Sequence, residues 1–279
     1  MTAGIGERLE GHFDGLRALE LVRAQCELGP RVAGSVGNVR CRKLISERLA
    51  GSGWPVVMDP FTFRRVSCCN LVARVLSEEP AIMLGAHFDT RPRADRERQW
   101  WRRRRPVPGA NDGASGVAVL IELARVLAPP PPGLWLAFFD AEDRGRLEGW
   151  PFCVGSGHLA ESLHPAPAAV VVVDMVGGTG ARFLLERTSH EGLSRAIWQT
   201  AAALGFGGTF GHEPGHAVLD DHTPFLRRGI AAADIVDLDY LHWHRVTDTP
   251  ENVAAETLRR VGLVLETLVR TGGWRTAVR

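Results

Sequence analysis

Acidic and imidazole side chains gather in this sequence where short apolar runs end. Ile82-Met83-Leu84 runs into Gly85-Ala86-His87-Phe88-Asp89, Leu134 to Phe139 runs into Asp140-Ala141-Glu142-Asp143, and Ala168 to Val173 ends in Asp174. Pro108-Gly109-Ala110-Asn111-Asp112-Gly113 puts Asp112 at the head of a helix, and His242-Trp243-His244 precedes the last helix. One strand-end aspartate is commonly a cap or turn residue. Three such ends together with Asp112 and His244 are harder to explain structurally, because carboxylates converging on one crevice repel unless a cation neutralises them. Oxygen ligands with an imidazole and no thiolate suit a catalytic zinc that keeps one position open for substrate.

Two other patterns are weaker. His212-Glu213-Pro214-Gly215-His216 matches HExxH letter by letter, but that motif needs a helix to put residues four apart on one face, and Pro214-Gly215 would break it. With Gly205, Gly207, Gly208 and Gly211 nearby, the segment reads as loop. Gly177-Gly178-Thr179-Gly180 is too short for a dinucleotide fingerprint and lacks a following helix pattern.

The elements that would position these residues follow from periodicity. Helices are expected over 5–25 and 36–50, separated by Gly29-Pro30, and strands over 55–64 and 69–76. A helix over 112–127 places Val117, Leu120, Ile121, Ala124 and Leu127 on one side. Further helices are expected near 155–163 and over 190–204, a strand over 230–236, and a last helix from 251 to about 271. Thr249 as N-cap, Pro250 at the first position and Glu251 in the first turn specify its start, and Leu258, Val261, Leu265 and Leu268 its buried stripe. Continuous apolar strands alternating with helices imply one α/β domain over residues 1–279, with a mostly parallel mixed sheet covered by helices on both faces. In such sheets ligands bind beyond the carboxyl ends of the strands, where the acidic groups lie.

Composition is ordinary for a globular chain: 279 residues, 45% apolar, 23% charged, net charge +1. It gives no global attraction to nucleic acid or acidic membranes, and no apolar stretch is long enough to span a bilayer. Arg102 to Arg105, preceded by Trp100-Trp101, could bind RNA, but the flanking prolines favour a solvated loop. Cys26, Cys41, Cys68, Cys69 and Cys153 are odd in number without CxxC spacing. With no secretory h-region at the N-terminus, they read as free thiols of a reducing, cytoplasmic compartment.

The chain resembles the glutaminyl cyclase branch (glutaminyl-peptide cyclotransferases) of the zinc aminopeptidase-like α/β proteins. The resemblance runs from Gly29-Pro30-Arg31-Val32 to the last helix. It is carried by GAHFDTRP at 85–92, PGANDGASG at 108–116, FFDAED at 138–143, VGSGHLA at 154–160, VVDMVGG at 172–178, DDHTPFLRRGI at 220–230 and HWHRVTDTPEN at 242–252. It implies a single zinc held by Asp112, Asp143 and His244, Asp143 standing where many relatives have glutamate. It implies Glu142 as general acid/base, Asp174 and Asp220 as a carboxylate network around the substrate, and Trp243 as the aromatic pocket wall with Asp221 also at the substrate. Asp234 departs from the family, since animal cyclases have a histidine there. Aminopeptidase relatives use two metals, with ligands that would map to His87, Asp112, Asp143, Asp174 and His244, so ligand types alone do not separate the two activities. Trp243 beside His244 and the DDHTPFLRRGI segment favour the cyclase.

The implied reaction converts the N-terminal glutamine of a peptide or protein to pyroglutamate, the substrate's own α-amine attacking its side-chain amide. The alternative is a two-zinc aminopeptidase. A metal-binding peptide-recognition module without turnover is disfavoured, because a binder has no need of Glu142.

Overall fold

The computed structural model describes residues 12–278, so the first part of the helix expected from residue 5 lies outside the described residues. In chain order the elements are α1 (Gly15–Glu27), α2 (Val36–Gly51), β1 (Val56–Phe63), β2 (Val66–Ala73), β3 (Ile82–His87), α3 (Ala114–Val126), β4 (Leu134–Phe139), α4 (Val154–Ser162), β5 (Ala169–Asp174), β6 (Phe183–Leu185), α5 (Glu191–Ala203), β7 (Phe210–Pro214), α6 (Thr223–Arg227), β8 (Ala231–Val236) and α7 (Ala255–Thr271).

One six-stranded sheet, ordered β1-β2-β4-β3-β5-β8, organises this single α/β domain. β4, β3, β5 and β8 run parallel, while β1 and β2 form an antiparallel hairpin joined antiparallel to β4. Every residue of β3, β4 and β5 is buried, as expected for strands covered on both faces. Successive side chains divide between the two cores with the strand period of two. Ile82, Leu84, Leu136, Phe138, Val171 and Val173 pack under α1, α2, α3, α5 and α7. Met83, Trp135, Phe139, Val170 and Val172 meet Leu159 of α4 and Phe225 of α6 on the opposite face.

Three expectations need correction. Helix α1 begins at Gly15, because the Asp14 carboxylate accepts the backbone N–H groups of Leu16 and Arg17 and caps it there. Strand β2 starts at Val66 rather than residue 69, since Arg64 and Arg65, both at positive φ (46° and 65°), make a two-residue hairpin turn of the type usually built from Asn-Gly. The Thr249-Pro250-Glu251 signature opens only a 3₁₀ turn, Pro250–Asn252, and Thr249 makes no side-chain cap bond. Val253 then bridges Gly178 and Ala254 donates to the Gly177 carbonyl (2.8 Å), which holds the chain extended until α7 starts at Ala255. The stripe Leu258, Val261, Leu265 and Leu268 is fully buried as expected.

Strands β6 and β7 form a small parallel pair that periodicity did not reveal. All five cysteines are free thiols, and among the described residues no helix is long and apolar enough to cross a membrane.

Candidate active site

Because β4, β3, β5 and β8 run parallel, their carboxyl ends open on one side of the sheet. There β3 delivers His87, β5 delivers Asp174, and the turn after β4 delivers Glu142 and Asp143. Asp112 arrives from the segment entering α3, where Gly113 at φ 94° brings the backbone against the His87 ring. A Cβ on Gly113 would lie 2.9 Å from the Asp89 carbonyl oxygen and 3.1 Å from that ring. His244 arrives from the loop before α7. Ala141, Cys153, Met175 and His244 all sit at positive φ. Strained backbone clustered around one crevice points to a functional site.

The side chains converge closely. His244 Nε2 is 3.1 Å from Asp143 Oδ1 and 3.7 Å from Asp112 Oδ2. His87 Nε2 is 3.1 Å from Asp174 Oδ1 and 3.3 Å from Asp112 Oδ1. Three groups with metal-ligand geometry result: Asp112–Asp143–His244 and His87–Asp112–Asp174, which share Asp112, and beside them Glu142–Cys153–Asp220, which has no imidazole. Asp112 Oδ2 and Asp143 Oδ2 are buried without a hydrogen-bond partner among the described residues. A buried carboxylate oxygen left unbonded is costly, and a cation would relieve it. The donor set therefore fits a divalent metal with oxygen and nitrogen ligands.

Asp112, Asp143, Asp174 and His244 line a cavity of about 470 Å³ together with Glu142, Asp220 and Trp243. Burial, then the neighbouring charges of Asp143, Asp220 and Asp221, push the Glu142 carboxyl well above the usual range despite the opposing effect of His87. Burial and Asp112 raise Asp143 to about 6, and burial and Asp220 raise Asp174 to about 7. Burial would raise Asp112 too, but the hydrogen bond from His87 and the charge of His244 outweigh it and hold Asp112 low. Burial opposes protonation of His244, yet the Asp143 charge lifts it to about 9.

The expected site residues are thus brought together with two qualifications. Asp221, expected at the substrate, is enclosed away from the cavity, its carboxylate accepting the Ser156 hydroxyl. Asp234 is buried behind Asp220, which with Asp174 and Glu186 adds to burial in raising its carboxyl. A histidine does stand beside Asp234, but it is His222, whose Nδ1 lies 3.7 Å from Asp234 Oδ2. His212 and His216 are exposed and form no metal group among the described residues. The HExxH-like segment, expected to be loop, is partly a strand, since His212-Glu213-Pro214 belongs to β7, and its extended backbone excludes helical ligand spacing as firmly as a loop would.

Sequence reasoning missed the residues that hold the ligands in place. Asp89 accepts the backbone N–H groups of Glu142 (2.9 Å) and Asp143 (3.1 Å). Asp248 does the same for Asn111 (2.8 Å) and Asp112 (3.1 Å), and receives the hydroxyl of Tyr240, the sole tyrosine in the chain. Asp95 faces His244 Nδ1 at 3.4 Å and is itself gripped in bidentate fashion by Arg91, which also donates to the Asp143 carbonyl. Asp89, Arg91 and Asp248 lie inside the sequence motifs, but their partners are backbone groups or distant residues that spacing does not reveal.

An α/β sheet with overlapping carboxylate–imidazole groups at its carboxyl end defines the class, an α/β protein of the metallopeptidase type. The chain belongs to peptidase family M28, whose profile matches residues 70–269. The glutaminyl-peptide cyclotransferase of Bothrops jararaca is 27% identical over 290 residues, covering 86% of this chain and 76% of that protein. The structure of Porphyromonas gingivalis glutaminyl cyclase matches with a TM-score of 0.88 at 31% identity, over 93% of this chain and 99% of that one. A Zn-dependent exopeptidase from Parabacteroides distasonis matches with a TM-score of 0.85 at 29% identity, over 92% and 98%. Cyclases and exopeptidases share the scaffold, so the reaction must be argued from the site.

Proposed function

We propose that this chain is a zinc-dependent glutaminyl-peptide cyclotransferase that converts N-terminal glutamine to pyroglutamate and releases ammonia. The carrying observation is Glu142. It is a buried carboxyl outside both imidazole-containing ligand groups, facing the same cavity, with its proton affinity raised by burial and by Asp143, Asp220 and Asp221. A carboxyl of raised proton affinity that faces the substrate can both take and return a proton.

Asp112, Asp143 and His244 would hold one zinc, and bound there zinc supplies Lewis acidity to the substrate's side-chain amide carbonyl. Trp243, its ring centroid 4.6 Å from that of His244, would pack on the glutamine side chain and hold it near the amine. A Glu142 carboxylate oxygen accepts a proton from the α-amine as the new C–N bond forms. The same oxygen returns the proton to the side-chain nitrogen as the old C–N bond breaks, so ammonia leaves neutral. Asp220 helps keep the Glu142 proton affinity high, and Asp220 and Asp174, both on the cavity wall, are placed to bond the substrate's shifting amide proton.

A second reading rests on the His87–Asp112–Asp174 group, which offers a second metal position and with it a two-zinc aminopeptidase. One experiment separates them: zinc content of the purified protein alongside turnover of Gln-peptide and Leu-peptide amides. One zinc per chain, with ammonia released from Gln-peptides only, is the expected result. Two tightly held zincs with hydrolysis of Leu-peptides would replace the cyclotransferase by the aminopeptidase.

A further inference from the structure

The segment from Arg91 to Arg105 holds eight arginines against two acids, a net of +6 in a chain whose total is +1, which leaves the rest of the molecule net acidic. Both of its acids are already engaged, although only Glu97 is buried. Asp95 is taken up by Arg91 and faces His244, and buried Glu97 accepts the Val246 backbone N–H at 3.1 Å. The loop is closed at its base by Ala94 N–H to the Arg105 carbonyl (2.8 Å) and braced by Arg103 Nε to the Glu97 carbonyl (2.7 Å). It is therefore a built surface fixed against the His244 segment, with its positive charge facing out.

That surface reaches the cavity. Arg96 lines the mouth, its guanidinium 3.7 Å over the Trp243 ring, and Arg146 lines the mouth from the turn after β4. Both are exposed, and neither forms an ion pair among the described residues, because nearby Glu148 is taken by Arg93 and Arg144. Trp100 and Trp101 stand 69% and 59% exposed at the loop tip, offering apolar footing beside the arginines. Two arginines without carboxylates stand at the mouth of the cavity, where on the cyclotransferase reading they meet whatever follows the N-terminal residue of the substrate.

Resting on the cyclotransferase reading, we propose that the Arg91–Arg105 loop and Arg146 form an acidic-peptide recognition surface. It selects substrates with Asp or Glu in the positions immediately after the N-terminal glutamine. Attachment of the loop to the cavity wall through Arg96 and Trp243 favours a peptide substrate over RNA as its ligand.

The test compares Gln-Glu-Glu, Gln-Ala-Ala and Gln-Lys-Lys peptide amides. The expected result at low salt is kcat/KM about tenfold higher for the Glu than for the Lys peptide, mostly in KM, as for several partly screened charges acting together. The preference should shrink to about threefold or less at ~1 M salt, where the Debye length is about 3 Å. It should shrink likewise in the double variant Arg96→Gln, Arg146→Gln, with unaltered melting confirming its fold. Equal kcat/KM for all three peptides, or a preference unchanged in the double variant, overturns the inference and leaves the cyclotransferase reading standing. If no Gln-peptide turns over, the cyclotransferase reading fails, and fluorescence anisotropy of the labelled peptides decides the inference alone. Equal affinities for the Glu and Lys peptides overturn it. So does a single-stranded RNA oligonucleotide that binds more tightly than the Glu peptide and is lost in the same double variant.

Discussion

Glu142 and Asp143 are adjacent in sequence yet are assigned opposite tasks, which substitution separates. Glu142→Gln keeps size and removes proton acceptance, so zinc should stay bound while kcat falls by about 10²–10⁴-fold with little change in KM. Asp143→Asn should lose zinc and activity together. Near-normal turnover by Glu142→Gln would remove Glu142 as the base. The positioning residues answer to a different measurement. Asp248→Asn leaves the Asn111 and Asp112 backbone N–H groups competing for one acceptor, so Asp112 loses its anchor. Zinc affinity, read by competition with a chelator, should fall about 10–100-fold, the usual effect of disturbing a group that orients a ligand. Unchanged affinity would mean that Gly113 and the α3 entry fix Asp112 unaided. Asp112, Asp143, Asp174 and His244 were legible because acids and imidazoles at strand ends are hard to explain otherwise. Asp89, Asp95 and Asp248 were not, because their contacts are with backbone N–H groups and with side chains that only the folded chain brings near.

At the scale of elements, the fully buried strands β3, β4 and β5 were legible because a continuous apolar run leaves few alternatives. The β1–β2 turn was not, because Arg64-Arg65 lacks the glycine or asparagine that normally marks a turn with two positive φ values. That mismatch predicts a stabilising change. A left-handed conformation costs a non-glycine residue about 1–2 kcal/mol, whereas glycine loses about 0.5–1 kcal/mol of extra chain entropy. Arg65 is exposed, so Arg65→Gly should stabilise the fold by about 0.5–1 kcal/mol in urea unfolding, with activity unaltered. Destabilisation would mean that the Arg65 side chain has a packing role absent from the turn geometry. Strands β6 and β7 escaped for a related reason. Three residues are too few to show a period, and Gly211 and Pro214 punctuate the other strand as if it were loop.

For the molecule as a whole, the sheet's topology concentrates proton-binding groups at one end, and this sets how stability depends on pH once the metal is stripped. In the chelated protein Asp143 and Asp174 have folded-state values of about 6 and 7 against an ordinary 3.8, and His244 about 9 against 6.5. All three are raised, so the folded chain holds more protons than the unfolded one between the ordinary and the folded values. Their stabilising effect is complete below about pH 4 for the aspartates and about pH 6.5 for His244, and is lost as pH rises through the folded values. Glu186, lowered to about 2 by the His222 and Ser189 hydrogen bonds despite its burial, has the opposite slope: its stabilising effect is complete above its ordinary 4.5 and is lost only as pH falls below that. The melting temperature of chelated protein should therefore fall steadily from about pH 5 to pH 9. Zinc should reverse the trend, because it binds the deprotonated ligands and stabilises more as pH rises, by about 4 kcal/mol at a thousandfold excess over Kd. Calorimetry across that pH range, with and without zinc, reads both slopes, and in Asp143→Asn the zinc-dependent increment should vanish. A chelated protein that grows more stable between pH 5 and 9 would mean that the clustered carboxylates are ionised and balanced by their histidines without a cation, which would remove the physical ground for a metal at this site.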